Sequence, residues 1–139
     1  MNALTTGNPS TNKDACVLEF DFIPQGDSIN VKFVFGSEEY PRYACSNYND
    51  VFAFLVSGPG IIGNNNIALV PGISIPVSIN SVNERPGSSG SIGNCTMLGA
   101  GSPFTSLFVN NSRSTDVTYN GLTVVLTAQI VVQPCQPII

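Results

Sequence analysis

Histidine and tryptophan are absent from these 139 residues, and charge is scarce, with five basic and nine acidic side chains. Without imidazole there is no Ser-His or Cys-His catalysis, no histidine metal site and no imidazole acid–base chemistry. Without indole the best platform for stacking on sugar rings is missing. Charged residues make 10% of the chain, against roughly a quarter in ordinary globular proteins. The net charge is −4 and the pI near 4.4, while Lys13, Lys32, Arg42, Arg85 and Arg113 are scattered. Nucleic acid is therefore disfavoured as a partner, because phosphate binding rests on clustered Lys and Arg. No apolar run reaches the roughly 18 to 20 residues that cross a bilayer, so membrane insertion is not expected. The opening MNALTTGNPST has neither the basic nor the apolar region of a signal peptide, so export information is expected to lie outside this chain. Close CxxC pairs, a G-x-S-x-G elbow and a glycine-rich phosphate loop leading into a helix are also missing.

What is present is apolar and small-polar. Hydrophobic residues make 42%, and most of the rest is Ser, Thr, Asn, Gly and Pro, the composition of an all-β extracellular module and not of a disordered chain. The length suits a single domain, 1–139, with residues 1–13 irregular. Cys16, Cys45, Cys95 and Cys135 are even in number and widely dispersed, which reads as two disulfides in an oxidising compartment, with three pairings open.

Period-two alternation marks the strands. In ACVLEFDF, Cys16, Leu18, Phe20 and Phe22 share one face; in INVKFVF, Ile29, Val31, Phe33 and Phe35 do. The turn between them predicts a hairpin, with Lys32 facing Glu19 or Asp21. VFAFLVS (51–57) is apolar on both faces and predicts a central strand, and ISIPVSINSV places Ile73, Ile75, Val77 and Ile79 together, with Pro76 at an edge or bulge. Residues 83–103, including GSSGSIG, form a long flexible loop. Asn120-Gly121 signals a hairpin turn before a long strand that aligns Leu122, Val124, Leu126, Ala128, Ile130 and Val132. Strands recurring about every ten residues predict an antiparallel β-sandwich of jelly-roll type.

Three of the nine acids fall within FGSEEYPRYACSNYNDVFAF, residues 35–54. Pro41 stops the preceding ladder, and neighbouring Glu38 and Glu39 point oppositely on an extended segment. Glu38, Glu39, Asn47, Asn49 and Asp50 are the ligand types calcium takes. The same carboxylates could instead cap turn amides and pair with Arg42, or form the two-carboxylate pair of a glycosidase. Tyr40, Tyr43 and Tyr48 are candidate ligand contacts.

The order DACVLEFDFIP, VFGSEEYPRYACSNYNDVFAFLVSGPG, NIALVPG, PVSINSVN and YNGLTVVLTAQIVVQPC resembles the choice-of-anchor L domain over about residues 14–135. The resemblance implies a non-catalytic, often adhesin-like module of secreted and cell-surface bacterial proteins, mainly of the Bacteroidota and commonly exported by type IX secretion. Its partners would be glycans or proteins on cell surfaces. Members usually have more sequence before the DACVLEFDF strand and a further strand, roughly Tyr-His-Ile-Lys-Leu, after the Pro-Cys. The chain is thus expected to be truncated at both ends, leaving a sheet edge open to self-association or to a partner strand. Of the three pairings, Cys45–Cys95 is favoured because both lie in long loops, and Cys16–Cys135 because both flank strands expected to be neighbours.

Overall fold

A computed structural model describes residues 15–113 and 116–139; the irregular segment expected at 1–13 lies outside them. Among the described residues the strands are β1 (Ser28–Phe33), β2 (Gly36–Ser37), β3 (Leu55–Val56), β4 (Asn65–Asn66), β5 (Phe108–Asn110), β6 (Gly121–Thr123) and β7 (Leu126–Val131). A short helix, α1 (Ile92–Thr96), interrupts the loop expected at 83–103.

The alternation of SINVKF does form a strand, with residues in turn exposed and half-buried. Its partner, however, is β7, antiparallel, with Ser28 opposite Val131 and Phe33 opposite Leu126. The hairpin expected between ACVLEFDF and INVKFVF does not form. Lys32 stands opposite Thr127, and among the described residues the only β-pairing of 15–22 is the bridge from Phe22 to Ile138. Local alternation specified a strand-like segment but not its neighbour, which is settled by non-local pairing.

β2 continues the path of β1 and pairs with β6, which also pairs with β5. Between the β1–β7 and β2–β6 ladders, Val34 and Phe35 face three residues, Thr123 to Val125. This β-bulge bends the ribbon and breaks the long strand expected from Leu122 onward. The Phe35 amide, displaced from a regular ladder bond, donates to Thr123 Oγ1 at 3.0 Å. Asn120-Gly121 is likewise no hairpin turn: Gly121 lies within β6 opposite Asn110, and the connection occupies 111–120.

Antiparallel pairing throughout bears out the all-β class, but the strands fall into three small sheets, β1–β7, β2–β6–β5 and β3–β4. Two apolar clusters lie beneath them. One gathers Phe35, Tyr40, Val70, Val77, Ile79, Val82 and Leu126; the other gathers Val56, Ile67, Ala128, Val132 and Ile138. Phe33 packs against both. Val77 and Ile79 are fully buried as their shared face predicts, while Ile73 is exposed. Pro76 sits at an isolated bridge with Leu69, where its missing N–H costs no ladder bond.

Thr123→Val removes the acceptor of the buried Phe35 amide at constant volume. Urea unfolding should show a loss of about 1–3 kcal/mol, and Thr123→Ser should retain most of the wild-type stability.

Candidate functional site

The chain turns sharply where β2 ends. The Tyr43 amide donates to the Glu39 carbonyl at 2.9 Å and the Ser46 amide to the Tyr43 carbonyl at 3.0 Å, and the Tyr40–Pro41 peptide is cis. Tyr40 is the foot of this corner. It is 1% exposed, its ring lies 4.9 Å from that of Phe108, and its hydroxyl donates to the Val82 carbonyl. Burial, and secondarily the charge of Asp50, hold its phenol far above the usual value. Tyr40 therefore belongs to the core and does not face a ligand.

Beyond it, Cys45 adopts a left-handed φ of 59° and is bonded to Cys95 of α1, the Cα atoms 4.9 Å apart. Both half-cystines are fully buried. The amide of Asn83 lies against them, Nδ2 being 3.3 Å from Cys95 Sγ and donating to the Ile79 carbonyl at 2.8 Å. The expected Cys45–Cys95 bridge is present; the expected Cys16–Cys135 bridge is not, and both cysteines are free and exposed. The reason is polarity. Phe22 and Ile138 pair antiparallel and Cys135 bonds through its amide to Pro24, so Cys16 runs off toward the opposite end.

The GSSGSIG segment, expected to be a flexible loop, is laid along the corner as a strap. The amides of Gly87, Ser89 and Ser91 donate to the carbonyls of Ala44, Arg42 and Cys45 at 2.8 to 3.1 Å. The approach demands glycine, because a Cβ on Gly87 would sit 2.1 Å from the Pro41 carbonyl oxygen and one on Gly90 2.0 Å from that of Ala44.

The expected ligand set is spread along this corner. Asp50 accepts from Ser37 Oγ at 2.6 Å, and that same oxygen receives the Glu39 amide at 3.0 Å; Asp50 thus braces the turn through Ser37. Asn49 Oδ1 accepts from the Asn80 amide at 3.1 Å. Glu38 and Asn47 are exposed, with the Glu38 carbonyl accepting from Asn120. Among the described residues no group of three or more His, Cys, Asp or Glu side chains is placed to hold a metal ion. Tyr43 and Tyr48 do come together, rings 5.3 Å apart and nearly perpendicular, with the Arg42 guanidinium 5.1 Å above the Tyr43 ring. Arg42 also draws the Glu39 pKa down, but burial, Asp50 and Glu38 outweigh it and the net shift is upward.

Residues 1–138 match the family model described as the choice-of-anchor L domain. The chain belongs to the choice-of-anchor L domain family. No curated protein and no solved structure matches it. The match is wider than the 14–135 read from the motifs. Among the described residues of this choice-of-anchor L domain, no helix is long and apolar enough to cross a membrane.

Four residues central to the corner were not singled out in the sequence: Ser37, Asn80, Ser81 and Asn83, all buried. Ser81 Oγ donates to the Pro76 carbonyl at 2.8 Å, and Asn80 Nδ2 to the Ser46 carbonyl at 2.8 Å. A signal was available, since in PVSINSVN the polar residues stand at 78, 80, 81 and 83, breaking period two after Ile79 and marking a turn.

The disulfide closes a loop with a sequence separation of 50, for which chain entropy gives about 4 kcal/mol. The double variant Cys45→Ser, Cys95→Ser should lose about 2–4 kcal/mol in urea unfolding; an unchanged midpoint would show the strap alone holds the corner.

Glu39 has a pKa raised above its ordinary 4.5, so the folded state binds its proton more tightly than the unfolded chain does. Its contribution is complete below that ordinary value and is lost as pH rises through the folded one. Glu39→Gln should therefore melt higher than wild type at pH 7, with the gap closing at pH 4.

Proposed function

We propose that this domain is a non-catalytic module of an exported bacterial surface or secreted protein, and that its pinned corner presents Tyr43 and Tyr48 to a glycan or protein on a cell surface. Family membership supports the non-enzymatic reading, and a buried disulfide suits an oxidising, extracellular setting. The observation that carries the proposal is an aromatic pair on a covalently fixed turn, Tyr48 outward and Tyr43 half-buried behind it. Tyr48 is 67% exposed, yet its amide donates to Ser46 Oγ at 3.0 Å and its carbonyl accepts from the same hydroxyl, one residue from the buried Cys45. An exposed ring carried on main chain that is already fixed loses less entropy when it binds, which is what recognition surfaces use aromatics for.

The carboxylates fit bracing better than bond breaking. Asp50 is engaged with Ser37, which in turn holds the Glu39 amide, so the acids serve the turn that carries the rings. A glycan-binding role is the specific form this reading takes if the partner is a carbohydrate, with Tyr43 and Tyr48 supplying the stacking faces that tryptophan would otherwise provide.

Glycan arrays and immobilised surface proteins, probed with wild type and with the Tyr43→Ala, Tyr48→Ala double variant, separate the outcomes. The expected result is a bound ligand whose affinity falls at least tenfold in the double variant; Tyr48→Ala alone, at the exposed ring, should weaken binding with the melting temperature unchanged, whereas losing half-buried Tyr43 from the core margin also lowers stability. Binding that survives the loss of both rings would overturn the assignment of this surface.

A further inference from the structure

The pattern Asn-x-Ser/Thr, with any middle residue but proline, is the acceptor sequence for attaching a glycan to an asparagine amide. It occurs twice in the chain, at Asn94-Cys95-Thr96 and at Asn110-Asn111-Ser112. The fold treats the two in opposite ways, and the difference is chemical.

Asn94 is closed to such a reaction. It lies inside α1, where residues two apart do not face each other. Thr96 accordingly turns its hydroxyl elsewhere, donating to the Gly93 carbonyl at 3.2 Å. The nitrogen that would carry the sugar is already engaged, Nδ2 donating to the Cys45 carbonyl at 3.0 Å. Cys95 between them is fully buried and bonded to Cys45.

Asn110 is the reverse in each respect. It ends β5, which lies at the margin of its sheet, and it is exposed. Its Oδ1 accepts from the Ser112 amide at 3.1 Å and from the Ser112 hydroxyl at 2.8 Å. Among the described residues its Nδ2 makes no hydrogen bond. An amide nitrogen is a poor nucleophile, because its lone pair is shared with the carbonyl. It becomes a competent one as it loses a proton and charge collects on the oxygen as an imidate. Two donors already aimed at that oxygen stabilise the charge as it develops, with no reorganisation at the moment of reaction.

The middle residue ties the loop from behind. Asn111 Nδ2 donates to the Val117 and Tyr119 carbonyls at 3.4 and 2.7 Å, and its main-chain amide to the Asn120 carbonyl at 3.0 Å. Asn110 is thus left outward on a fixed support. The surroundings suit a sugar, since Val109, Val117 and Tyr119 are 41, 43 and 44% exposed. A bulky, soluble glycan beside them screens these apolar side chains from other molecules.

We propose that Asn110 is a glycosylation site supplied by a glycosyl diphosphate donor, and that Asn94, in the same sequence pattern, stays bare. The inference stands independently of the tyrosine surface. In the transfer, Nδ2 bonds to the anomeric carbon while the bond from that carbon to the diphosphate oxygen breaks. The diphosphate leaves with the bonding pair, and the Nδ2 proton passes to a base of the separate transferring enzyme.

The test takes the protein from the cells that make it and cuts it with chymotrypsin, which separates the two asparagines at Leu98, Phe104 and Phe108. Both peptides are read by mass spectrometry. A glycan is expected on Asn110 in most copies, with occupancy at least tenfold lower at Asn94. Produced in the same cells, Ser112→Ala should cut occupancy of Asn110 at least tenfold, Ser112→Thr should retain it and Asn110→Gln should abolish it. Holding the chain inside the cell separates the two sources of donor: a nucleotide-linked sugar modifies it there, a lipid-linked one only after export. Bare Asn110 in the recovered protein, or equal occupancy of the two asparagines, would overturn the proposal.

Discussion

Every buried amide and carbonyl must find a partner, and in this domain regular ladders supply too few of them. Most strands are two or three residues long, so the main chain is satisfied by other means. Thr123 takes the Phe35 amide at the bulge. Ser78 and Ser81 bond within the buried turn that they form, Asn83 bonds the Ile79 carbonyl of that same turn, and Asn80 and Asn94 reach carbonyls of a neighbouring loop. A composition rich in Ser, Thr and Asn and poor in charge is what this arrangement needs, because short neutral side chains bond locally without the desolvation cost of an ion.

The acidic corner follows from the same constraint. Gathering scarce carboxylates in one loop does not create a cluster: Asp50 serves Ser37, Glu39 is half-buried, and Glu38 is exposed. Covalent and steric fixation do the rest. The Cys45–Cys95 bond, the glycine strap along Arg42 to Cys45, and buried Tyr40 hold the turn from three sides. What remains outward is Tyr48, its ring against half-buried Tyr43, over which Arg42 lies. A rigid turn with an exposed aromatic ring is the arrangement the proposed recognition role needs.

Where partners are wanting, the fold is open. Residues 15–20 are exposed although their sequence alternates, and among the described residues Phe22 bonds to Ile138 while Ser57 bonds to Ile139.

The sequence by itself determined the all-β class, the segments that could be strands, the exclusion of imidazole chemistry and the gathering of three acids within residues 36–50, while it left the cysteine pairing open. These depend on residue type and on period two, which are local properties. Only the tertiary structure decided that β1 pairs with β7, that Cys16 and Cys135 stand apart, that Tyr40 is core while Tyr48 is surface, and that Ser81 and Asn83 lock a buried turn. Each of those rests on which distant segment arrives alongside, and a hydrogen bond or a packed ring is specified by both partners at once, so neither stretch of sequence carries it alone.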